Sequence, residues 1–226
     1  MREEEINKWI EEGGSLPQDL TQKEKEHLTK LGWSIEERRY ENGQKICERH
    51  FLRGEPHGKQ EGWYSNGKKE YEENWFYGGK HGKQEGWHSN GKKYGVFNYS
   101  HGKEHGKQEV WWETGVQNYV GHYSHGKEHG KQEWWYTNGK KRGEHHYFHG
   151  KEHGKWKGWW SSGKKKSEEN WLNGEKDGKQ EVWYPKGEKK SEENWLRGAK
   201  HGVFKKWKKN GDIRAEEKYL YGNKIK

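Results

Sequence analysis

Aromatic residues and glycines recur along the chain every 24 positions, with no insertions over residues 54–221. Self-similarity at a period of this length is the signature of a repeat architecture. One aromatic row comprises Trp63, Trp87, Trp111, Trp135, Trp159, Trp183 and Trp207. A second row comprises Phe51, Trp75, Tyr99, Tyr123, Tyr147, Trp171, Trp195 and Tyr219. The spacing predicts a repeat domain over 38–226, made of a partial repeat at 38–53, seven full repeats over 54–221 and a C-terminal end at 222–226.

Each repeat has the pattern of a β-hairpin. In the repeat at 54–77, the pair Asn66-Gly67 separates two short segments that are rich in aromatic residues. Asn-Gly is a strong signal for a two-residue hairpin, because both central residues of a type I′ turn need positive φ. We therefore predict one strand near 59–65, a type I′ turn at the Asn-Gly pair and a second strand near 68–77.

Stacked hairpins of this kind predict a mainly β fold, an elongated single-layer antiparallel array of β-hairpin repeats. Side chains alternate between the two faces of a strand, so Trp63 shares a face with Glu61, while Gln60 and Tyr64 point the other way. We expect the rows that contain Trp63 and Trp75 to form an aromatic spine. Stacking between neighbouring repeats of this kind needs no globular core.

The N-terminal segment, residues 1–37, lacks the repeat and has a helical pattern instead. Ile6, Trp9 and Ile10 have the i, i+3, i+4 spacing of an amphipathic helix, which Gly13-Gly14 would end. We interpret this segment as a short helical cap over the open first edge of the sheet, since open edges invite aggregation. The alternative is a helical hairpin that docks a partner or targets the protein.

A second helix is predicted after the first. Thr21 and Glu24 have the spacing of a capping box, which satisfies the first backbone N–H groups of a helix. Leu28 and Leu31 are the apolar positions that follow, and Gly32 is placed to end the helix as a C-terminal cap.

Composition excludes several classes of protein. Only 26% of the 226 residues are hydrophobic and 36% are charged, yet the chain is rich in tryptophan, with 16. A thick aliphatic core and a long helical bundle are therefore excluded. Cys47 is the single cysteine, so there is no internal disulfide framework. The N-terminus lacks the pattern of a secretion signal and no run is long enough to span a membrane, so we expect a cytoplasmic, non-secreted protein.

The pattern G-x-x-H-G-K-x-x-x-W-Y-x-N-G-K-K, read from Gly54 onwards, resembles the MORN repeat, and most closely its bacterial and large-virus variant. The resemblance covers 54–221 and extends to 38–53. It implies twisted arrays of β-hairpins without catalytic residues. It also implies attachment to membranes or lipids, protein scaffolding and dimerisation. Some bacterial members are known as antitoxins, and large DNA viruses carry many such proteins.

The His-Gly-Lys loops are the candidate sites for binding anions or partners. Their histidines and lysines are His57, Lys59, His81, Lys83, His105, Lys107, His129, Lys131, His153, Lys155 and, from the repeat with Asp177, Lys179. Backbone N–H groups beside a lysine can form a nest for phosphate. Aromatic rows interleaved with lysine also resemble a stacking platform for single-stranded nucleic acid. The alternative is that the glycines only permit turns and the lysines only solvate them.

The histidine row itself does not have the geometry of a metal site. Its members should lie about 10 Å apart, whereas zinc needs donors at about 2.0–2.1 Å. Closer sets in the sequence are His101 with His105, His125 with His129, and His149 with His153. We expect the row to hydrogen-bond within its loops. A shared proton-sensitive surface is the alternative, since histidine titrates near neutral pH.

The chain carries no recognisable catalytic motif, and we expect no enzyme activity, cofactor or small-molecule substrate. Glutamates such as Glu61 recur once per repeat, which is typical of cross-strand charge pairs rather than of an acid and a base in a pocket. We expect a non-enzymatic scaffold for protein–protein interaction, associated with the virion or capsid if the source is viral. It would act as a homodimer or as part of a larger assembly.

Two alternatives remain for the function. The net charge of +9 is compatible with a binder of anionic phospholipid head groups or nucleic acid. The other alternative, which the family resemblance implies, is an antitoxin-like partner of a toxin.

Overall fold

The computed structural model describes residues 3–11 and 20–226. The chain divides into two compact units, Met1–Gly115 and Val116–Lys226. Both are built from antiparallel β-hairpins, which confirms the predicted mainly β fold with short N-terminal helices. The first strand begins at Trp33, ahead of the predicted start of the repeat domain at residue 38.

The first unit contains the helices α1 (Glu3–Glu11) and α2 (Gln22–Lys30) in its described residues. Its strands are β1 (Trp33–Arg39), β2 (Lys45–Leu52), β3 (Glu55–Trp63), β4 (Lys69–Phe76), β5 (Gly79–Lys80), β6 (Gly82–Trp87), β7 (Lys93–Ser100), β8 (Lys103–Glu104) and β9 (Gly106–Trp111). Strands β1 to β4 pair in chain order. Strand β4 then pairs with both β5 and β6, and β7 pairs with β6, β8 and β9.

The second unit repeats this pairing. Its strands are β10 (Gln117–Ser124), β11 (Lys127–Glu128), β12 (Gly130–Trp135), β13 (Lys141–Phe148), β14 (Lys151–Glu152), β15 (Gly154–Trp159), β16 (Lys165–Leu172), β17 (Glu175–Lys176), β18 (Gly178–Trp183), β19 (Lys189–Leu196), β20 (Ala199–Lys200), β21 (Gly202–Trp207), β22 (Ile213–Leu220) and β23 (Asn223–Ile225). An eight-residue strand, a two-residue strand and a six-residue strand therefore make up one repeat.

The helices pack against the beginning of the first unit. Ile6 and Ile10 of α1 join Leu28 of α2, Trp33 of β1 and Leu52 of β2 in one buried apolar cluster. Burial of these side chains anchors the helical segment, because apolar surface removed from water stabilises a fold. Within the described residues, no helix has the length and apolar character needed to cross a membrane.

The predicted capping box is confirmed. The hydroxyl oxygen of Thr21 accepts the N–H of Glu24, and the Glu24 carboxylate accepts the N–H of Thr21 at 2.7 Å. Gly32 follows the last turn of α2 with φ 88°, a left-handed conformation that suits glycine. The predicted stop at Gly13-Gly14 lies outside the described residues.

The loop at Asn66-Gly67 differs from the prediction. The Tyr64 N–H donates to the Lys68 carbonyl, and the Gly67 N–H donates to the Tyr64 carbonyl, both at 2.9 Å. Gly67 has φ 78°, but Asn66 is not among the described residues with positive φ. The type I′ prediction at this pair is therefore wrong, because three residues, not two, connect the strands and only the glycine is left-handed.

The type I′ geometry occurs at the opposite end of each hairpin. Phe76 pairs with Gly79 across Tyr77 and Gly78, which have φ 44° and φ 75°. The same pair of left-handed residues recurs at Arg53-Gly54, Tyr77-Gly78, His101-Gly102, His125-Gly126, His149-Gly150, Asn173-Gly174, Arg197-Gly198 and Tyr221-Gly222. These two-residue turns connect each eight-residue strand to the strand that follows it. That strand is two or three residues long except for β3, which has nine.

The register separates the two aromatic rows onto opposite faces. Trp75 lies opposite Gly58, on the face that also carries Gln60, whereas Trp63 lies on the face of Glu61. The expectation that the two rows form one spine is therefore wrong. We call the first surface the glutamine face and the second the tryptophan face. The two faces carry different sets of polar and aromatic side chains.

Candidate interaction surfaces

The tryptophan face is a ladder of lysine, glutamate and tryptophan. Lys69 Nζ lies 2.6 Å from a carboxylate oxygen of Glu61 and 2.6 Å from one of Glu72. The same ammonium lies 5.8 Å from the centre of a ring of Trp87, in the next repeat. One lysine therefore neutralises two glutamates of its own hairpin and makes a cation–π contact with its neighbour.

This arrangement recurs in both units. Lysines that make the equivalent ion pair are Lys45, Lys93, Lys141, Lys165 and Lys189. Burial acts to raise the pKa of Glu144, but hydrogen bonds from Lys141 and Lys131 outweigh it and lower this pKa to about 2. The Glu144 carboxylate is thus held ionised by its two lysines.

The lysines of the His-Gly-Lys loops belong to the same ladder. Lys59 Nζ lies 2.9 Å from Glu61 and 3.2 Å from Glu72. The nearest carboxylate distances for the others are 2.9 Å for Lys83, 2.7 Å for Lys107, 2.8 Å for Lys131, 3.9 Å for Lys155 and 2.9 Å for Lys179. Their charge is therefore balanced on the sheet itself. An anion-binding role for these loops stays a prediction.

His57 is fully buried at the junction of the helices and the sheet. Its Nε2–H donates to the Ile10 carbonyl at 2.9 Å, and its Nδ1 accepts the N–H of Tyr77 at 3.3 Å. Burial lowers the pKa of His57, although the Ile10 carbonyl opposes this effect. The ring is therefore a neutral imidazole that links α1 to the first full repeat.

Other members of this row also accept a hydrogen bond from a type I′ turn. His81 Nδ1 accepts the N–H of His101 at 3.4 Å, and Asp177 Oδ1 accepts the N–H of Arg197 at 2.9 Å. Each donor is the left-handed residue 20 positions further along the chain. The aspartate can replace histidine here because its carboxylate accepts the same backbone N–H. Nδ1 of His129, His153 and His201 is buried and makes no hydrogen bond within the described residues.

The closest histidine rings are 20 residues apart in sequence. Ring centres lie 5.1 Å apart for His81 and His101, and likewise for His129 and His149. These contacts bring histidines of successive repeats together along the turns. Within residues 3–11 and 20–226, no group of three or more metal-ligating side chains has a geometry that could hold a metal ion.

Glutamines take the place of an apolar core on the glutamine face. Gln84 Oε1 accepts the N–H of Asn74 at 3.0 Å, and its Nε2 donates to the Asn74 carbonyl at 2.9 Å. The amide thereby fills a gap where β4 and β6 separate, since their register ends after Glu72 and Glu85. The buried members of this row are Gln60, Gln84, Gln108, Gln132 and Gln180.

The structural role of the glutamine row is absent from the sequence-based predictions. The sequence does carry a signal for it, because K-Q-E recurs with the 24-residue period. Trp156 replaces glutamine in one repeat and donates its Nε1–H to the His146 carbonyl at 3.1 Å. Glutamine and tryptophan thus both satisfy a backbone carbonyl at this position. In the last full repeat, the buried ring of Phe204 fills the position instead.

A groove of about 590 Å³ opens on the first unit. Tyr71, Tyr94 and Phe97 contribute to its wall, and Tyr99 and Glu104 lie along it. The aromatic rings lie close to glycine backbone: a Cβ on Gly62 would meet Tyr71, one on Gly86 would meet Tyr94, and one on Gly95 would meet Phe97. These glycines carry no side chain, and the space they leave gives the groove its depth.

In the second unit, aromatic side chains stack on one another instead. His145 lies parallel to Trp156, with ring centres 3.8 Å apart and an interplanar angle of 2°. Trp134 contacts the same imidazole at 4.7 Å. Burial lowers the pKa of His145 to about 4, with a smaller contribution from His146. This histidine therefore serves as a neutral aromatic ring.

The three-residue turns are joined to one another by side-chain hydrogen bonds. Asn66 Nδ2 donates to the Ser89 carbonyl at 2.8 Å, and Lys68 Nζ donates to the Asn90 carbonyl at 2.7 Å. Lysines that make the same contact are Lys92, Lys140 and Lys164. We call Lys68, Lys92, Lys140 and Lys164 the turn lysines. The recurrent Asn-Gly-Lys thus connects consecutive repeats.

Comparison with known families agrees with this architecture. The family model described as MORN repeat variant matches residues 56–76, 128–149, 152–173 and 176–196. No curated protein is significantly similar to the chain. Each match falls on one hairpin unit of the 24-residue period. Together, the four matches and the hairpin units identify the chain as a MORN-repeat protein.

Proposed function

We propose that this protein is a non-enzymatic scaffold that binds protein partners on the faces of its hairpins. The MORN repeat family is a non-enzymatic repeat family. Its repeats are generally associated with membrane or phospholipid binding and with protein interaction. Of these two associations, protein interaction agrees better with the surface chemistry of this chain.

The observation that carries the proposal is the exposure of large apolar side chains on both units. Those that are at least 39% exposed include Ile35, Tyr77, Tyr94, Phe148, Leu172, Ile213, Leu220 and Tyr221. Aromatic residues are enriched where proteins bind other proteins, and exposed apolar patches mark such sites. The ion pairs of the tryptophan face support the same choice, because they neutralise lysines that an anionic surface would need.

The test is capture of partners by the full chain from its native lysate at low and high salt. We expect a stoichiometric protein partner that remains bound at high salt. Tyr77→Ser combined with Tyr94→Ser should release it, whereas the exposed control Glu113→Gln should not. Recovery of lipid or nucleic acid alone, or of nothing, would contradict the proposal.

One observation favours an anionic surface as a second candidate. The turn lysines are exposed, and none has a carboxylate partner within the described residues. They place uncompensated positive charge beside the three-residue turns. Binding to vesicles that contain phosphatidylserine should then weaken steeply with salt and weaken further in Lys68→Gln/Lys92→Gln. Salt-independent binding, or none, would exclude this candidate.

A further inference from the structure

One position of the repeat, on the glutamine face, is occupied by lysine in some repeats and by glutamate in others. The position holds Lys80, Lys176, Lys200 and Lys224, and in each of these repeats the residue seven positions earlier is a glutamate. It holds Glu104, Glu128 and Glu152 in three other repeats, where the earlier residues are Phe97, Gly121 and His145. In the repeat at 54–77 the position is Pro56. The lysine repeats can therefore form an internal ion pair that the glutamate repeats cannot.

The first unit contains one repeat of each kind, side by side in the groove. Lys80 Nζ lies 2.7 Å from a carboxylate oxygen of Glu73, so this pair is neutral. Glu104 is half-buried, lies next to Tyr99 in the register of β7 and β8, and has no ion pair within the described residues. Burial raises the pKa of Glu104, and no nearby cation offsets this effect.

The charge of the groove is opposite to that of the protein. Its lining contains four glutamates and one lysine, although the whole chain carries +9 at pH 7. Glu73 is neutralised by Lys80, and Glu85 by Lys83 and Lys93. Two lining glutamates make no ion pair within the described residues, and of these Glu70 is exposed whereas Glu104 is half-buried. Glu104 is therefore the carboxylate near the aromatic rings that a cationic ligand complements.

We propose that this groove binds an arginine side chain of a protein partner, with Glu104 as its carboxylate and Tyr94, Phe97 and Tyr99 as its aromatic wall. A guanidinium ion is planar, so it can stack on an aromatic ring while its edge donates two hydrogen bonds to a carboxylate. A lysine ammonium lacks this planar surface. The inference rests on the proposed function, since it defines one contact of a protein-binding surface.

The test measures fluorescence anisotropy of a labelled Gly-Arg-Gly-Arg-Gly peptide with the full chain. Matched peptides carry lysine, glutamine or glutamate in place of arginine. We expect the arginine peptide to bind most tightly. Glu104→Gln should weaken the affinity for the arginine peptide about tenfold, because a charged hydrogen bond is lost. Glu113→Gln, which makes the same change of charge at an exposed site outside the groove, should leave the affinity unchanged.

A second variant tests the shape of the groove. Gly86→Val adds a side chain where a Cβ would lie 3.1 Å from the Tyr94 ring, and valine occurs at the equivalent positions Val110 and Val182. This variant should weaken binding of the arginine peptide while leaving the unfolding midpoint close to that of the wild type.

Three outcomes would overturn the assignment. In the first, the lysine peptide binds as tightly as the arginine peptide. In the second, the glutamine or glutamate peptide binds as tightly as the arginine peptide or more tightly. In the third, Glu104→Gln binds the arginine peptide with the affinity of the wild type. Partner capture separates this inference from the proposed function. If the lysate partner is retained equally by Glu104→Gln and the wild type, the groove assignment fails while the scaffold proposal stands.

Discussion

The side chain of Gln84 pairs with the backbone of Asn74 as a neighbouring strand would. Its amide oxygen accepts the N–H at 3.0 Å and its amide nitrogen donates to the carbonyl at 2.9 Å. Gln84 is only 3% exposed, so water does not replace these bonds. A buried glutamine in each such repeat therefore maintains the sheet where the backbone ladder is interrupted.

Gln84→Leu should destabilise the first unit by about 1–3 kcal/mol, because it leaves the Asn74 N–H without its acceptor. The Asn74 carbonyl keeps the backbone N–H of His81, which lies 2.9 Å away. The measurement is the midpoint of urea unfolding, followed by circular dichroism. Glu113→Gln, at an exposed position, is the control and should unfold at the wild-type midpoint. If Gln84→Leu is as stable as the wild type, the amide contributes no net stabilisation.

The ion pairs of the tryptophan face should make stability depend on pH in acid. The pKa of Glu144 is lowered to about 2 from its ordinary value of 4.5, so its ionised form is favoured in the fold. Its contribution is complete above pH 4.5 and is lost as the pH falls towards 2. The urea midpoint of the wild type should fall over this window.

Glu144→Gln isolates the contribution of this carboxylate. The variant should be less stable than the wild type at pH 7, and the difference should shrink at pH 3, where the wild-type carboxylate begins to lose its charge. A constant difference between the two pH values would contradict the role assigned to the ion pairs with Lys141 and Lys131.

The packing of α1 on the sheet around His57 should lose stability as the pH falls. Burial lowers the pKa of His57 below its ordinary value of 6.5, so the neutral ring is the form that the fold favours. Its stabilisation is present above pH 6.5 and decreases below it. Protonation would also turn Nδ1, which accepts the Tyr77 N–H, into a donor.

Hydrogen exchange of the α1 amides measures this effect. After correction for intrinsic exchange rates, protection should be lower at pH 5.5 than at pH 7.5. In His57→Gln, which carries no titrating group, protection should be the same at both values. Equal protection of the α1 amides at the two pH values in the wild-type protein would exclude a titrating link between helix and sheet.

The type I′ turn at Arg53-Gly54 offers a direct test of backbone conformation. Gly54 has φ 84°, and a Cβ added there would meet nothing within 4 Å. Gly54→Ala should therefore destabilise the first unit by about 1–2 kcal/mol through conformation alone. Gly54→Asn should cost less, since asparagine tolerates the left-handed region. If Gly54→Ala and the wild type have the same midpoint of thermal unfolding, the left-handed conformation of Gly54 does not contribute to stability.

Several features of the fold are legible in the sequence because they are local or periodic. The 24-residue spacing defines the hairpins, and the spacing of Thr21 and Glu24 defines the start of α2. The type I′ turns lie at the opposite end of each hairpin from the one that the sequence pattern predicts. Asn66-Gly67 has the residues of a type I′ turn, but Asn66 instead hydrogen-bonds to the next turn, whereas Tyr77-Gly78 adopts the left-handed pair.

The candidate site was less predictable than the fold. The sequence identified the His-Gly-Lys loops, but it did not show that Lys59 faces Glu61 and Glu72 or that His57 reaches Ile10. The groove around Glu104 also depends on rings that lie against glycine backbone. These contacts join residues from different strands and repeats, so no local pattern specifies them.

The repeat length, the hairpin unit and the MORN-type pattern can be read from the amino-acid order alone, because each rests on identical spacing along the chain. The face that each aromatic row occupies depends on how the strands pair. A one-residue change of register moves a side chain to the other face of a sheet, and here the register is set by the three-residue turns and the bulge before Trp63. The separation of Trp63 from Trp75, the buried glutamines and the uncompensated charge of Glu104 all follow from that pairing.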